Sequence, residues 1–345
     1  MTKAVTVAVI GAGYWGPNVI RTFSELANCQ VKWVCELSQG RRTYISDRFP
    51  KLRTTDELEK VLADPEVDAV AIVTPVTTHR RLAEMALAAG KHVFVEKPLA
   101  GSYADAVAIG TAGQNAGRLV GVGHLFVHHP AVVRMKELVE SGRLGQLHYA
   151  ESARVNLGPP ASEVDVLWDL AVHDLAILIA LMGRPPARVS ATARNFNHRS
   201  LVDVAFVTTE FDDGFFSVHH ASWLAPTKVR RFFLAGAAGS VTFDDTSDDR
   251  KLVSSGPGVD SRIGLRADDV KELFYKADDV VVHTLEHTPP LTRELNLFVD
   301  AIRNGTAMAV DAIQGEHVVR TLEAAEMSIA DGGRAVSVSE VMGEE

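Results

Sequence analysis

The sequence predicts an α/β fold: an N-terminal doubly wound parallel sheet, then an α+β region with a largely antiparallel open sheet. Three observations carry this. Short runs rich in β-branched residues alternate with helical stretches through the first third of the chain. The later part replaces that rhythm with successive strand-like runs, separated by short turns such as Asp212-Asp213-Gly214. A chain of 345 residues also exceeds what one core ordinarily serves, so two domains are expected, residues 1–124 and 125–345.

Taken in order, Val5 to Ile10 is a short apolar run rich in β-branched residues that ends at a glycine turn, as a buried parallel strand does. Pro17 suits the first turn of the helix that follows. Val31 to Cys35 is the second strand, and Arg41 to Phe49 and Asp56 to Ala63 read as helices. Asp68 to Thr74 is the third strand, followed by a helix over Leu82 to Ala89 with Gly90 as its terminator. His92 to Glu96 and Leu119 to Gly123 are the fourth and fifth strands. The helix between them starts after Ser102, with Asp105 completing a capping box. Beyond Pro130 come helices at Pro130 to Ser141 and Asp169 to Met182. Strand-like runs follow at Arg188 to Phe196, Asp203 to Phe211, Phe215 to Trp223, Val229 to Ala235 and Ser240 to Phe243. Helices return at Thr292 to Asn304 and Ile313 to Ala330.

The formal net charge of −9 argues against nucleic acid and against an anionic membrane surface as partners. No run of about 20 apolar residues is present, so no membrane span is expected. The N-terminal apolar run is too short for a signal peptide, which makes the cytoplasm the expected compartment. Cys29 and Cys35 are too few for a disulfide framework and read as small core residues. No Cys/His cluster has metal spacing, and no metal is expected.

The first strand runs into Gly11-Ala12-Gly13-Tyr14-Trp15-Gly16, a G-x-G-x-x-G loop that opens a helix. The first glycine permits the turn, the second lets backbone approach a pyrophosphate, and the third allows close packing. Glu36, 20 residues beyond Gly16, ends the second strand, where an acid accepts from ribose hydroxyls. The combination predicts dinucleotide binding on a Rossmann fold. Glu36 should repel the extra phosphate of NADP, so NAD is preferred. Arg41 and Arg42 leave NADP open, since they either reach that phosphate or form a solvated helix face.

Glu96-Lys97-Pro98 ends the fourth strand, and the carboxyl ends of parallel strands line the ligand crevice. Here the chain resembles the glucose–fructose oxidoreductase / inositol dehydrogenase / MocA (Gfo/Idh/MocA) family of NAD(P)-dependent oxidoreductases. The resemblance rests on the glycine loop, on Thr74-Pro75 followed by His79, and on Ala89-Gly90-Lys91-His92-Val93 leading to Glu96-Lys97-Pro98. It extends to Asp169-Leu170-Ala171-Val172-His173, an Asp-x-x-x-His. Many members carry glycine where this chain has Leu170 and Ala171. The Trp-Asp-Leu-Ala-x-His-Asp version resembles a branch linked with nucleotide-sugar and amino-sugar metabolism.

The resemblance implies hydride transfer between a nicotinamide and a carbohydrate-like alcohol or ketone. His173 becomes the general base, Lys97 the group that stabilises alkoxide character, and Asp169 the residue that orients lysine or substrate. The reverse assignment, with Lys97 carrying the proton, stays open. Thr74, Pro75, His79, Glu96 and His124 are implied along the cofactor. Arg154 and Asn156 precede Asp169 and are candidates for the substrate, where an arginine binds phosphate or carboxylate in bidentate fashion. Nucleotide-sugar or amino-sugar dehydrogenation leads. An inositol or free-sugar dehydrogenase and a non-catalytic dinucleotide-binding sensor are the alternatives. The broad sheet implies a homodimer or homotetramer.

Overall fold

The computed structural model describes residues 4–158, 164–197, 200–256 and 280–341. The chain divides into two compact units. One comprises Met1–His129, Thr288–Glu323 and Val341–Glu345; the other comprises Pro130–His287 and Ala324–Glu340. The first break falls between His129 and Pro130. The segment from Thr288 returns to the first unit.

The first unit holds strands β1 (Val5–Ile10), β2 (Cys29–Cys35), β3 (Arg53–Thr55), β4 (Ala69–Ile72), β5 (His92–Glu96) and β6 (Val120–Gly123). They form a sheet of order β3-β2-β1-β4-β5-β6, with every neighbouring pair parallel. Helices α1 (Gly16–Glu25), α2 (Gln39–Arg48), α3 (Leu58–Leu62), α4 (His79–Ala88) and α5 (Tyr103–Ala116) connect them. Ser102 caps α5 by accepting from Asp105 N, and Gly90 and Gly117 end α4 and α5 at positive φ. Because the strands are parallel, the turns that follow β1, β2, β4, β5 and β6 all lie at one end of this sheet. The candidate cofactor residues sit on those turns.

The second unit begins with α6 (Pro130–Glu140) and β7 (Leu147–Leu157). A π-helical turn over Leu167–Ala171 leads directly into α7 (Val172–Met182). Then follow β8 (Arg188–Arg194), β9 (Val204–Glu210), β10 (Phe216–Ser222), β11 (Leu224–Gly236), β12 (Gly239–Asp244), β13 (Leu252–Ser255) and β14 (Val281–Val282). The chain continues through α8 (Pro290–Asn304) and α9 (Ala312–Ala330) to β15 (Val336–Ser337). The sheet order is β14-β13-β12-β11-β7-β10-β9-β8-β15. All its neighbours are antiparallel except β7 and β10, which run parallel.

Helix α7 is buried on nearly every side, as expected of a helix apolar all round. Helix α8 explains the unit boundary. Its buried stripe of Leu295, Phe298 and Val299 belongs to the core of β1, α1 and β5, and Phe298 packs on Phe94 with ring centroids 5.6 Å apart. Removing such an aromatic anchor would cost about 3–5 kcal/mol. Among the described residues, no helix is long and apolar enough to cross a membrane.

Candidate active site

The glycine loop fits a dinucleotide for reasons visible at each glycine. Gly11 has φ +94° and a Cβ there would collide with the Val73 carbonyl, so the turn requires glycine. A Cβ on Gly16 would lie 2.6 Å from Gly11 O, so helix and loop touch only without one. Gly13 instead faces open space, with the Arg41 guanidinium as its one near neighbour at 3.7 Å from a Cβ position. That open face is where a pyrophosphate can approach backbone. Tyr14 is 95% exposed at the tip of the loop.

Glu36 is buried at the end of β2 and receives Ala12 N on Oε2 at 2.7 Å and Ser38 N on Oε1 at 2.8 Å. A carboxylate has about four acceptor positions, so two stay open for ribose hydroxyls. Arg42 is occupied internally: it donates to the carbonyls of Glu36 and Leu37 and pairs with Asp56 at 3.0 Å. Of the two arginines, Arg41 is the one over the loop.

Thr74 and Pro75 form the turn after β4, where Thr74 Oγ1 and Thr78 Oγ1 are 2.7 Å apart. His79 opens α4 but does not face outward. It is buried, with Nδ1 3.0 Å from Pro98 O and Nε2 2.9 Å from Thr74 O. Its role is thus to brace the Thr74 turn against the Glu96-Lys97-Pro98 turn, a correction to the expected cofactor contact. Burial lowers its pKa, against the pull of the carbonyls around it.

At the end of β5, Glu96 Oε1 accepts from Trp15 Nε1 at 2.8 Å and Oε2 from Lys97 N at 3.2 Å. The glycine loop and the Glu-Lys-Pro turn are therefore joined through one carboxyl. Burial pushes Glu96 up to about 7, although its hydrogen bonds and the Lys97 ammonium favour the charged form. Lys97 is half-buried and precedes a cis Pro98. His124 follows β6 fully buried, pushed down to about 3 by burial and then by the charges of Lys97 and His128.

In the second unit, Asp169 lies within the π-turn and His173 in the first turn of α7. The expected regular helix starting at Asp169 is thus a wider turn, of the kind that often marks functional sites. Asp165 anchors it: its Oδ1 accepts from Leu167 N at 2.9 Å and Trp168 N at 3.2 Å. Asp169 Oδ2 accepts from Trp223 Nε1 at 3.1 Å, a contact 54 residues away in sequence that no local pattern announces. His173 is half-buried.

Arg154 requires correction. It is 2% exposed, and its Nε and a terminal nitrogen donate to Asp174 Oδ1 at 3.0 and 2.7 Å. The expected phosphate contact is an internal ion pair between β7 and α7, with Asp174 as the buried partner. Asn156 donates to Leu157 O at the end of β7. His219 lies inside the sheet between Ser152 and Ser217, at 2.7 and 2.8 Å, while His220 stacks on Phe206 on the other face. Burial pushes Cys29 up to about 12 and Cys35 up to about 11, as befits unreactive core thiols. Among the described residues, no three His, Cys, Asp or Glu side chains are grouped to hold a metal.

Comparison with known proteins places this arrangement. The profile of the oxidoreductase family with NAD-binding Rossmann fold matches residues 5–124, and that of the GFO/IDH/MocA C-terminal domain matches residues 132–242. The scyllo-inositol 2-dehydrogenase (NAD(+)) of Bacillus subtilis is 26% identical over 91% of this chain and 90% of its own length. The UDP-N-acetylglucosamine 3-dehydrogenase of Acidithiobacillus ferrooxidans is 31% identical over 59% of each chain. Among solved structures, GenD2 from gentamicin A biosynthesis, crystallised with NAD, superposes with a TM-score of 0.81 at 27% identity, covering 98% of this chain and 97% of its own. The chain belongs to the GFO/IDH/MocA oxidoreductase family, as an NAD-dependent enzyme on that family's Rossmann fold.

Proposed function

We propose that this enzyme oxidises a ring hydroxyl of a nucleotide sugar or amino sugar, with Lys97, Asp169 and His173 at the reacting carbon. The observation that carries the reading is the placement of Lys97. It stands on the turn after β5, at the same sheet end as the glycine loop, Glu36 and the Thr74-Pro75 turn.

Bound NAD supplies the hydride acceptor. The protein must then move a proton and hold charge, because a carbinol is too weak an acid to lose its proton unaided. His173 takes the hydroxyl proton. Lys97 donates a hydrogen bond to the same oxygen and stabilises alkoxide character as the carbon gives up hydride. Asp169, steadied by Trp223, orients the lysine or the substrate. The products are a ketone, the reduced nicotinamide and a proton on the base. Glu36 would hold the adenosine ribose, and Gly11, Gly13, Tyr14, Trp15 and Gly16 would hold the pyrophosphate.

The nucleotide-sugar reading is supported by the UDP-N-acetylglucosamine 3-dehydrogenase relative and by the sequence Trp168-Asp169-Leu170-Ala171 before His173. A cyclitol substrate is favoured by a different observation, the longer match to the inositol dehydrogenase. The burial of Arg154 removes one phosphate contact, so nucleotide recognition must come from other side chains. Ranking kcat/KM across nucleotide sugars, free sugars and cyclitols decides the substrate class. A nucleotide sugar should lead by about tenfold or more; a leading cyclitol would overturn the assignment.

A further inference from the structure

Beneath Lys97 lie buried ionisable groups that hydride transfer does not use directly. Glu294, on α8, is 0% exposed, and neither carboxyl oxygen has a hydrogen-bond partner among the described residues. Its neighbours explain where it points. Phe298 packs on Phe94. One turn back along α8 is Glu294, and two residues along β5, on the same face, is Glu96. Both steps are about 6 Å, and Arg293 acts on His128 just beyond β6, so the start of α8 lies at the carboxyl end of β5 and the two carboxyls come near each other. Glycines on β6 clear the space. A Cβ on Gly121 would stand 3.2 Å from the Phe298 ring, and one on Gly123 would stand 2.9 Å from Glu96 Oε2.

Two carboxyls in one apolar site do not both ionise readily. Burial, and then the charge of Glu96, hold Glu294 well above the usual carboxylate range. Glu96 therefore ionises first, near 7, and Glu294 keeps its proton. The Lys97 ammonium acts on Glu96 and on His124, and Arg293 acts on His128. Burial pushes these histidines down to about 3 and about 4, so both are neutral near neutral pH.

We propose that Glu294 is a positioning residue of the redox site: its retained proton lets Glu96 carry one negative charge that ties the glycine loop, through Trp15, to the backbone of Lys97. This rests on the reading of Lys97 as the group at the reacting oxygen. With Glu96 ionised, the bonds from Trp15 Nε1 and Lys97 N are charge-assisted and hold both turns. With Glu96 protonated, both weaken. With no hydrogen-bond partner of its own among the described residues, the Glu294 hydroxyl is free to point its dipole at the Glu96 carboxylate and so favour the charged form.

Trp15 reports this state directly. The test is a pH titration of tryptophan fluorescence on the full-length protein without substrate, with the Trp15→Phe signal subtracted. A transition near neutrality is expected, and it should vanish in Glu96→Gln. Glu294→Met, similar in size but without the proton, should raise the midpoint by about one pH unit. The acid limb of kcat/KM should rise with it. Glu294→Gln, whose amide N–H replaces the hydroxyl, should keep the midpoint near native. A Glu294→Met midpoint equal to the native one overturns the proposal. So does a transition that persists in Glu96→Gln, a comparison that stands even if the methionine variant fails to fold. A fluorescence midpoint that moves while the kinetic limb stays would overturn the link to Lys97 and leave the carboxyl pair in place.

Discussion

Arg154 shows what one side chain contributes when its partner lies out of sequence range. An arginine before the Asp169 motif reads as an anion contact, but both it and Asp174 are buried and pair with each other. Removing one partner of such a pair leaves an uncompensated charge, which costs far more than the pair itself contributes. Arg154→Ala should therefore lose about 3–5 kcal/mol of stability in urea unfolding, with KM for the substrate near native in the folded fraction. A variant of native stability with a strongly raised KM would restore the anion-binding role. Glu36 is the opposite case. Its position after β2 predicts an acid at the cofactor end of the sheet, and the side chain is buried there. The structure adds that the same carboxylate collects Ala12 N and Ser38 N, so it also shapes the glycine loop.

The turn that carries Asp169 is π-helical, and Asp169 is held by an indole from the end of β10. Losing the indole bond should shift the carboxylate without unfolding the turn, which Asp165 anchors separately. Trp223→Phe should lower kcat by about tenfold to a hundredfold while leaving NAD affinity intact, read by steady-state kinetics beside calorimetry. An unchanged kcat would show that Asp169 needs no such support. Elements with a strong local signal were legible in the sequence. Strands β1, β4 and β5 are short runs dominated by apolar, mostly β-branched residues, and α5 announces itself by its cap. Strand β3 has three residues, too few for any periodicity. Strand β7 was hidden because charged Arg154 points inward where an apolar residue would mark the buried face. The π-turn was illegible because its wider winding depends on tertiary bonds, and i,i+4 spacing fits an ordinary helix equally well.

For the whole molecule, the amphipathic stripe of α8 predicts that the helix buries one face, but not against which core; Phe94 and its neighbours decide that. The second sheet also has a face that sequence alternation announces without naming its partner. Tyr149 stacks on Phe216 at 5.9 Å and tilts against Phe233 at 5.6 Å, Phe206 stacks on His220 at 4.4 Å, and Val218 lies exposed among them. We propose that this surface joins copies of the chain into a homodimer or homotetramer. Light scattering should give a multiple of the chain mass, and Val218→Glu should lower it; a native monomer would contradict the proposal. Chemistry that depends on Lys97 is the claim on which the functional reading rests. Its most direct test is turnover followed by nicotinamide absorbance on the best substrate, with NAD, for native protein and Lys97→Ala. Calorimetry should confirm that both bind NAD. A fall in kcat of roughly 10²–10⁴-fold with NAD binding retained is the predicted result; turnover by Lys97→Ala at the native rate would contradict it.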